Sequence, residues 1–268
     1  MMQVRNVRLP FGAAPRYWFA GHRAATHLSN ALNLLFPVGE RFFIRSVRHY
    51  LDRVEDDPEL IDQIRCFFGQ EGNHAREHQR FASFLESQGY EVQPFLDDYE
   101  RMMSGIVERL MPPVLRLSAT AACEHFTASL ADNALRSPVF QQMHTEVKSL
   151  LLWHAAEEIE HKAVAYDVLR RVDSRYTVRV AGLAIATILL LAWWARAFQM
   201  LVEQDGMTVR EALAELRSTK VDGRHRTPQD VIRSAFKEYL EPGFHPWNHD
   251  NSALARDYIE TMALTEAA

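Results

Sequence analysis

The sequence predicts an all-α protein, and three observations support that fold class. Long segments carry apolar residues with the period of a helix, proline and glycine fall mainly between these segments, and almost no stretch alternates as a strand would. The chain has 268 residues, which is enough length for one large domain, and its net charge is -5. Its arginines are dispersed, so nothing indicates nucleic-acid binding.

Breaker residues divide the N-terminal two thirds of the chain into successive helices. Asp57 and Pro58 begin one helix and Gly89 ends it, whereas Pro37 and Gly39 would interrupt the region before it. Glu40 would therefore lie at the start of a helix, beside a kink. The helices are predicted at residues 21–36, 40–54, 58–88, 94–111, 114–135 and 139–171.

Residues 180–195 form a helix of a different kind, apolar on every side and bracketed by Arg179 and Arg196. At 1.5 Å per residue it would reach about 24 Å, short of the roughly 30 Å core of a bilayer. Two interpretations stay open. The helix lies in the core or at a dimer interface, or it contacts a membrane surface, where Trp193 and Trp194 would be favourable.

The candidate functional residues begin with the segment WHAAEEIEHK at residues 153–162. His154, Glu158 and His161 stand at i, i+4 and i+7, so they share one helix face. Two imidazoles and a carboxylate on one face suit a transition metal, although a solvated charged face would show a similar composition. Glu157 and Glu160 lie off this face and are interpreted as solvated.

Three other helices supply matching residues. Glu71 and His74 form an ExxH pair in a helix with many apolar neighbours. Glu124 lies among alanines, where an unpaired carboxylate would be costly. Glu40 is near the start of the second helix, where a simple interaction with the helix dipole is the alternative.

The order and spacing of these residues predict a dinuclear metal site. Carboxylate bundles of this kind take one Glu from each of two helices and an ExxH pair from each of the other two, and two divalent cations offset the four carboxylates. The 31 residues from Glu40 to Glu71 and the 34 from Glu124 to Glu158 fit antiparallel helix pairs. The 50 residues from His74 to Glu124 allow a long crossover. We therefore predict a ferritin-like four-helix bundle with a dinuclear metal site plus additional helices.

The motifs also resemble a known bacterial family over roughly residues 20–205. Four segments carry the resemblance to the predicted metal-dependent hydrolases, namely Pro37–Glu40, Gly69–His74, Glu124–Thr127 and Trp153–Lys162. The additional His154 makes the ligand set similar to that of p-aminobenzoate N-oxygenase, a ferritin-like di-iron enzyme. The resemblance implies that Glu71 and Glu158 bridge the metals. It implies seven ligands in all: Glu40, Glu71, His74, Glu124, His154, Glu158 and His161.

Two further residues are candidates for supporting roles. His78 lies one turn beyond His74 and would hydrogen-bond to a ligand or line the pocket, with direct metal binding as the alternative. Asp132 lies two turns after Glu124 and would accept the free N–H of a ligand histidine, or else remain at the surface. His154 is expected to share its metal with Glu158 and His161.

Three functions remain open at this stage. The first is a di-iron oxygenase or oxidase that activates O2 and acts on a hydrophobic organic substrate. The second is a hydrolase that uses a metal-bound hydroxide, and the third is a non-catalytic iron-binding protein. The expected cofactors are two iron ions, with manganese or zinc as alternatives. No catalytic residue beyond the metal centre and no electron donor is identified.

The cellular setting follows from the cysteines and the apolar helix. Cys66 and Cys123 form no disulfide framework and fit a reducing compartment, and no secretory signal is expected at the N-terminus. We expect a cytoplasmic protein, with residues 180–195 serving as a homodimer interface or a peripheral membrane contact. We expect a single domain at residues 1–268, with a metal-binding core at 21–171, the apolar helix at 172–205 and a C-terminal helical extension at 206–268.

Overall fold

Helices provide the regular structure of the computed structural model, which describes residues 2–218 and 227–266. No strand is assigned in these residues, and Phe19 and Met143 form an isolated bridge. The prediction of an all-α fold is confirmed. The helices are α1 (Arg23–Asn33), α2 (Phe36–Arg48), α3 (Pro58–Ser87), α4 (Gln93–Glu100), α5 (Glu108–Leu110), α6 (Pro113–Arg136), α7 (Thr145–His161), α8 (Val164–Val172), α9 (Tyr176–Gln204), α10 (Val209–Ser218), α11 (Pro228–Tyr239) and α12 (Ser252–Glu266).

The ends of α3 follow the local signals in the sequence. The Asp57 carboxylate accepts a hydrogen bond from the Leu60 amide, and Pro58 occupies the first turn. Gly89 follows the helix with a φ of 93°, a left-handed conformation that glycine adopts without strain. The resulting 30-residue helix carries both Glu71 and His74.

Two predicted boundaries were wrong. Pro37 and Gly39 do not interrupt a helix but lie inside α2, because a proline in the first turn loses no intrahelical hydrogen bond. Glu40 is therefore held within a continuous helix rather than at a kink. The expected helix at 139–171 is divided, since α7 ends at His161 and α8 begins at Val164.

The four helices that carry the predicted ligands pack in a closed cycle. α2 packs against α3, α3 against α7, α7 against α6, and α6 against α2. This is the contact order that a four-helix bundle requires. The ferritin-like assignment and the domain boundaries given above remain predictions.

α9 packs one side against α6 and α1 and turns the other side outward. Among the described residues it is the one helix that is long and apolar enough to cross a membrane, judged by length and composition. About a third of its most apolar 18-residue stretch is buried. On the outward side Ile188 is 67% exposed and Leu191 is 44% exposed. The helix is thus partly core and partly open surface, and what covers that surface remains a prediction.

The α6–α9 crossing is close because small residues meet there. Gly182 of α9 is buried against Ser118 of α6, and the Ser118 hydroxyl donates to the Val178 carbonyl at 2.9 Å. A Cβ atom on Gly182 would lie 2.0 Å from Ser118 Oγ and 2.5 Å from the Ser118 carbonyl carbon. The two backbones could not keep this separation if residue 182 had a side chain.

Gly182→Ala is expected to destabilise the protein. The gain in helix propensity of about 1 kcal/mol is smaller than the cost of pushing two helices apart, about 1–3 kcal/mol or more. Gly72→Ala is the matched control, because Gly72 lies in α3 with nothing within 4 Å of a Cβ atom, and it should be neutral or stabilising. Urea denaturation measures both variants, and an unchanged midpoint for Gly182→Ala would contradict the close crossing.

Candidate metal centre

The helix cycle brings all seven predicted ligands together in the interior. Glu40 comes from α2, Glu71 and His74 from α3, and Glu124 from α6. The remaining three come from α7. None is more than 4% exposed, and the two with the most exposure are His154 and Glu158.

Glu158 lies at the middle of the three histidines. Its Oε1 atom is 2.8 Å from His154 Nε2, 3.4 Å from His161 Nε2 and 3.7 Å from His74 Nδ1. Glu71 occupies a comparable position, since it groups with Glu124 and His161 on one side and with Glu40 and His74 on the other. Two carboxylates that reach both groups are what a bridging pair requires, and the bridging role itself remains a prediction.

His154 lies with His74 rather than with His161, contrary to the expected pairing. The His154 and His74 rings are 4.2 Å apart, and both group with Glu158. Seven residues separate His154 from His161, which is about 10 Å along the axis of a helix. The two histidines therefore lie toward opposite ends of the cluster, and one metal would receive both His154 and His74.

Most of the buried atoms that could bind a metal in this cluster lack hydrogen-bond partners. Although several lie 3.0–3.7 Å from one another, their directions do not form hydrogen bonds. A buried polar atom without a partner costs about 1–3 kcal/mol, so such a concentration calls for a ligand between the atoms. The atoms are both carboxylate oxygens of Glu40, Glu71 and Glu124, together with Glu158 Oε2, His74 Nδ1 and His161 Nε2.

In two of the histidines, the ring nitrogen that faces away from the carboxylate cluster is hydrogen-bonded to a protein side chain. His74 Nε2 is 2.9 Å from Glu157 Oε2, and His161 Nδ1 is 3.0 Å from Gln70 Oε1. An acceptor on one ring nitrogen fixes the proton there and leaves the other nitrogen free to bind a metal. Both free nitrogens point into the carboxylate cluster, which is the arrangement expected of metal ligands.

This arrangement corrects two interpretations from the sequence. Neither Glu157 nor Glu160 is solvated as expected, because α3 and the N-terminal residues cover that side of α7: Glu157 is fully buried and the Glu160 side chain is 16% exposed. Asp132 does not serve a ligand histidine, since its carboxylate accepts hydrogen bonds from Arg136 and Asn251. The supporting role predicted for Asp132 is filled by Glu157 and Gln70, for which the helical period alone gave no signal.

His78 lies directly behind His154. Its Nε2 atom is 2.6 Å from His154 Nδ1, its Nδ1 atom has no partner, and it groups with Glu40 and His154 as donors. The Phe36 ring packs on both imidazoles, with centroids 4.6 Å from His78 and 4.5 Å from His154. His78 is thus placed to orient His154, in line with its expected position beside the ligands.

Burial and mutual repulsion disfavour the ionised form of three cluster carboxylates when no metal is bound, whereas His161 and His154 hold the pKa of Glu158 well below the usual glutamate range. Burial raises the pKa of Glu40 and Glu71 well above the usual glutamate range, and neighbouring carboxylates raise it further. Burial also raises the pKa of Glu124, to about 7. Bound divalent cations would remove this penalty, because they would offset the negative charge and use the unpartnered oxygens.

The stability of metal-free protein should respond to Glu124→Gln. The raised folded pKa of Glu124 contributes stability below the unfolded pKa of about 4.3, and this contribution is lost as the pH rises through about 7. Above pH 7 the metal-free variant should therefore exceed metal-free wild type by roughly 1–3 kcal/mol, while binding metal poorly. Urea denaturation with chelator at low and high pH measures this, and a less stable variant at high pH would contradict the account.

His154→Ala should keep the fold and weaken the binding of one metal ion. The metal bound by His74 would lose a ligand, whereas the metal bound by His161 would keep its own. His125→Ala is the matched control, because His125 is also buried in the fold but is 3.0 Å from the Ala235 carbonyl. Isothermal titration with Co²⁺ separates the two sites, and two unchanged affinities in His154→Ala would place His154 outside the ligand set.

Comparison with known proteins agrees with a metal-binding role. No curated protein and no solved structure matches the chain. The similarity to p-aminobenzoate N-oxygenase rests on the ligand set alone and remains a prediction. A family model described as predicted metal-dependent hydrolase matches residues 3–250, a range that includes every residue of the centre. The chain belongs to this family of predicted metal-dependent hydrolases.

Proposed function

We propose that the protein is an enzyme that acts through two metal ions held by the seven buried residues of α2, α3, α6 and α7. The observation that carries the proposal is the convergence of unpartnered carboxylate oxygens and histidine nitrogens from four helices. Metal-dependent hydrolysis is the reaction that the family description supports. Bound metal ions would supply Lewis acidity and acidify a water molecule.

The chain's own residues would orient the metals and restrict access to them. Glu157 and Gln70 would fix the orientation of two ligand histidines by hydrogen bonds to His74 and His161. A hydrogen bond between His78 Nε2 and His154 Nδ1 would orient the His154 ring in the same way. Access would come from the side of His154 and Glu158, which are the most exposed of the seven residues. Phe36 packs on the His154 ring at that side. Phe36 would have to move for a substrate to enter.

Aromatic rings around the centre favour an apolar substrate group. Phe36 packs on His154, Phe67 packs on His161 with centroids 5.1 Å apart, and Trp153 packs on His74 with centroids 4.9 Å apart. The two phenylalanine rings offer no hydrogen-bonding group to a substrate. A hydrophobic small-molecule substrate is therefore part of the proposal, as is a cytoplasmic location.

Activation of O2 by two iron ions is the second candidate, and the composition of the ligand set favours it. Four glutamates and ExxH pairs on the helices of a bundle are typical of di-iron and di-manganese carboxylate proteins. The two candidates differ in what they require. Hydrolysis needs neither oxygen nor an electron donor, whereas O2 activation needs reduced iron and consumes oxygen.

Metal analysis followed by paired assays tests the proposal. Protein purified without added metal, or reconstituted with iron, manganese or zinc, should hold about two ions per chain. Hydrolysis of activated esters and phosphodiesters without oxygen is then compared with oxygen uptake by the reduced iron form. Glu71→Gln should abolish either activity, because it removes a carboxylate that groups with both sets of ligands.

Glu59→Gln is the matched control. It changes the same residue type on an exposed part of α3, so it should retain metal and activity. Failure to bind any of these metals would contradict the metal centre itself. Bound metal with oxygen uptake and no hydrolysis would replace the hydrolase by the second candidate.

A further inference from the structure

The N-terminal residues 2–9 lie as an extended strap along α3, and side chains of α3 bind their backbone. In the middle of the strap, each step of two strap residues is matched by a step of three residues along α3. The bonds are Cys66 Sγ to the Met2 carbonyl at 3.7 Å, Gln70 Nε2 to the Gln3 carbonyl at 2.9 Å, Asn73 Nδ2 to the Arg5 carbonyl at 2.8 Å, Arg76 to the Val7 carbonyl at 3.0 Å, and the Leu9 amide to Glu77 at 3.1 Å.

Gly69 lets the strap lie close to the helix. A Cβ atom on Gly69 would be 2.4 Å from Val4 Cγ2 and 3.2 Å from Val4 Cβ, so a side chain there would displace Val4. The α3 surface is therefore shaped for the strap by the absence of a side chain as well as by the bonds on either side. This packing fixes the position of the next residue, Arg5.

Arg5 reaches from the strap to two glutamates of α7. Its Nη1 atom donates to Glu157 Oε1 at 3.0 Å and to Glu160 Oε2 at 2.7 Å, and its Nη2 atom donates to Glu160 Oε1 at 2.9 Å. The Arg5 side chain is 16% exposed, and Glu157 is fully buried. A planar guanidinium can hold both carboxylates at once, which a lysine ammonium would do less well.

Each of the two glutamates continues toward a different ligand histidine. Glu157 binds His74 Nε2 at 2.9 Å through its other oxygen. Glu160 accepts a hydrogen bond from Gln70 Nε2 at 2.7 Å, and Gln70 Oε1 is 3.0 Å from His161 Nδ1. One arginine thus stands behind the histidines of both ExxH pairs, on the side away from the metals.

We propose that Arg5 is a positioning residue for the metal centre, and that the strap sets the affinity for both metals through the hydrogen bonds to His74 and His161. The inference rests on the proposed metal centre. A buried carboxylate needs a partner to keep its place, and Arg5 is the cation that contacts Glu157. Without Arg5 the acceptors on both histidines lose their fixed orientation. Loss of such outer hydrogen bonds weakens metal binding by about 10- to 100-fold.

Co²⁺ titration of metal-free protein, followed by visible absorption, tests the proposal. Arg5→Met should weaken binding at both sites by about 10-fold and alter the Co²⁺ spectrum, and Arg5→Lys should recover part of the loss. Arg8→Met is the matched control, since Arg8 lies on the same strap and is exposed. It should bind Co²⁺ as wild type does.

Two further variants separate positioning from a general loss of stability. In a Glu157→Gln, Glu160→Gln background, Arg5→Met should add little to the weakening, because the groups through which it acts are gone. Gly69→Ala displaces the strap without removing a charge and should weaken Co²⁺ binding in the same direction, even where Arg5→Met fails to fold.

Failure of the metal centre and failure of the Arg5 proposal would give different results. Wild type that binds no Co²⁺ would overturn the metal centre and the inference with it. Wild type that binds Co²⁺ while Arg5→Met and Gly69→Ala bind it as tightly as Arg8→Met would overturn the inference alone. Full additivity of Arg5→Met with the two glutamine substitutions would also overturn it.

Discussion

The constraint on which the structure depends is the burial of four carboxylates in one helical core. A hydrophobic interior holds ionised groups only when they are paired, hydrogen-bonded or bound to cations. Here the oxygens of Glu40, Glu71 and Glu124 have no hydrogen-bond partner. Two divalent cations, as proposed, would satisfy these atoms and offset their charge together, which would explain why acidic side chains from four helices point to one place.

The surrounding elements bury this polar centre. α6 is lined with small residues on its buried faces, and Gly182 lets α9 approach it closely. On the other side, the strap of residues 2–9 lies on α3 and places Arg5 behind the ligand histidines. The centre is thus enclosed by an apolar helix on one side and by a hydrogen-bonded outer layer on the other.

The convergence of the candidate metal ligands was predictable because the information for it is local. Helical spacing places His154, Glu158 and His161 on one face, and a glutamate among alanines, such as Glu124, already indicates a special partner. These short-range rules also predicted the all-α fold. The same rules misplaced the helix start near Pro37. A proline breaks a helix when it lies in the interior but is tolerated in the first turn, where Pro37 lies.

The outer layer of the site was not predictable in this way. Glu157 lies about 100° around the helix from Glu158, and only the crossing of α3 and the approach of Arg5 turn that position into the interior. Gln70 gave no signal because its partners are about 70 and 90 residues away in sequence. Roles that depend on contacts between distant segments require the tertiary structure.

The most direct test of the central claim is anomalous X-ray diffraction from crystals of iron- or manganese-loaded protein, collected at the metal absorption edge. The account predicts two anomalous peaks per chain, both between Glu71 and Glu158, with one peak next to His161 and the other next to His74 and His154. A single peak, or peaks outside the cluster formed by α2, α3, α6 and α7, would contradict it.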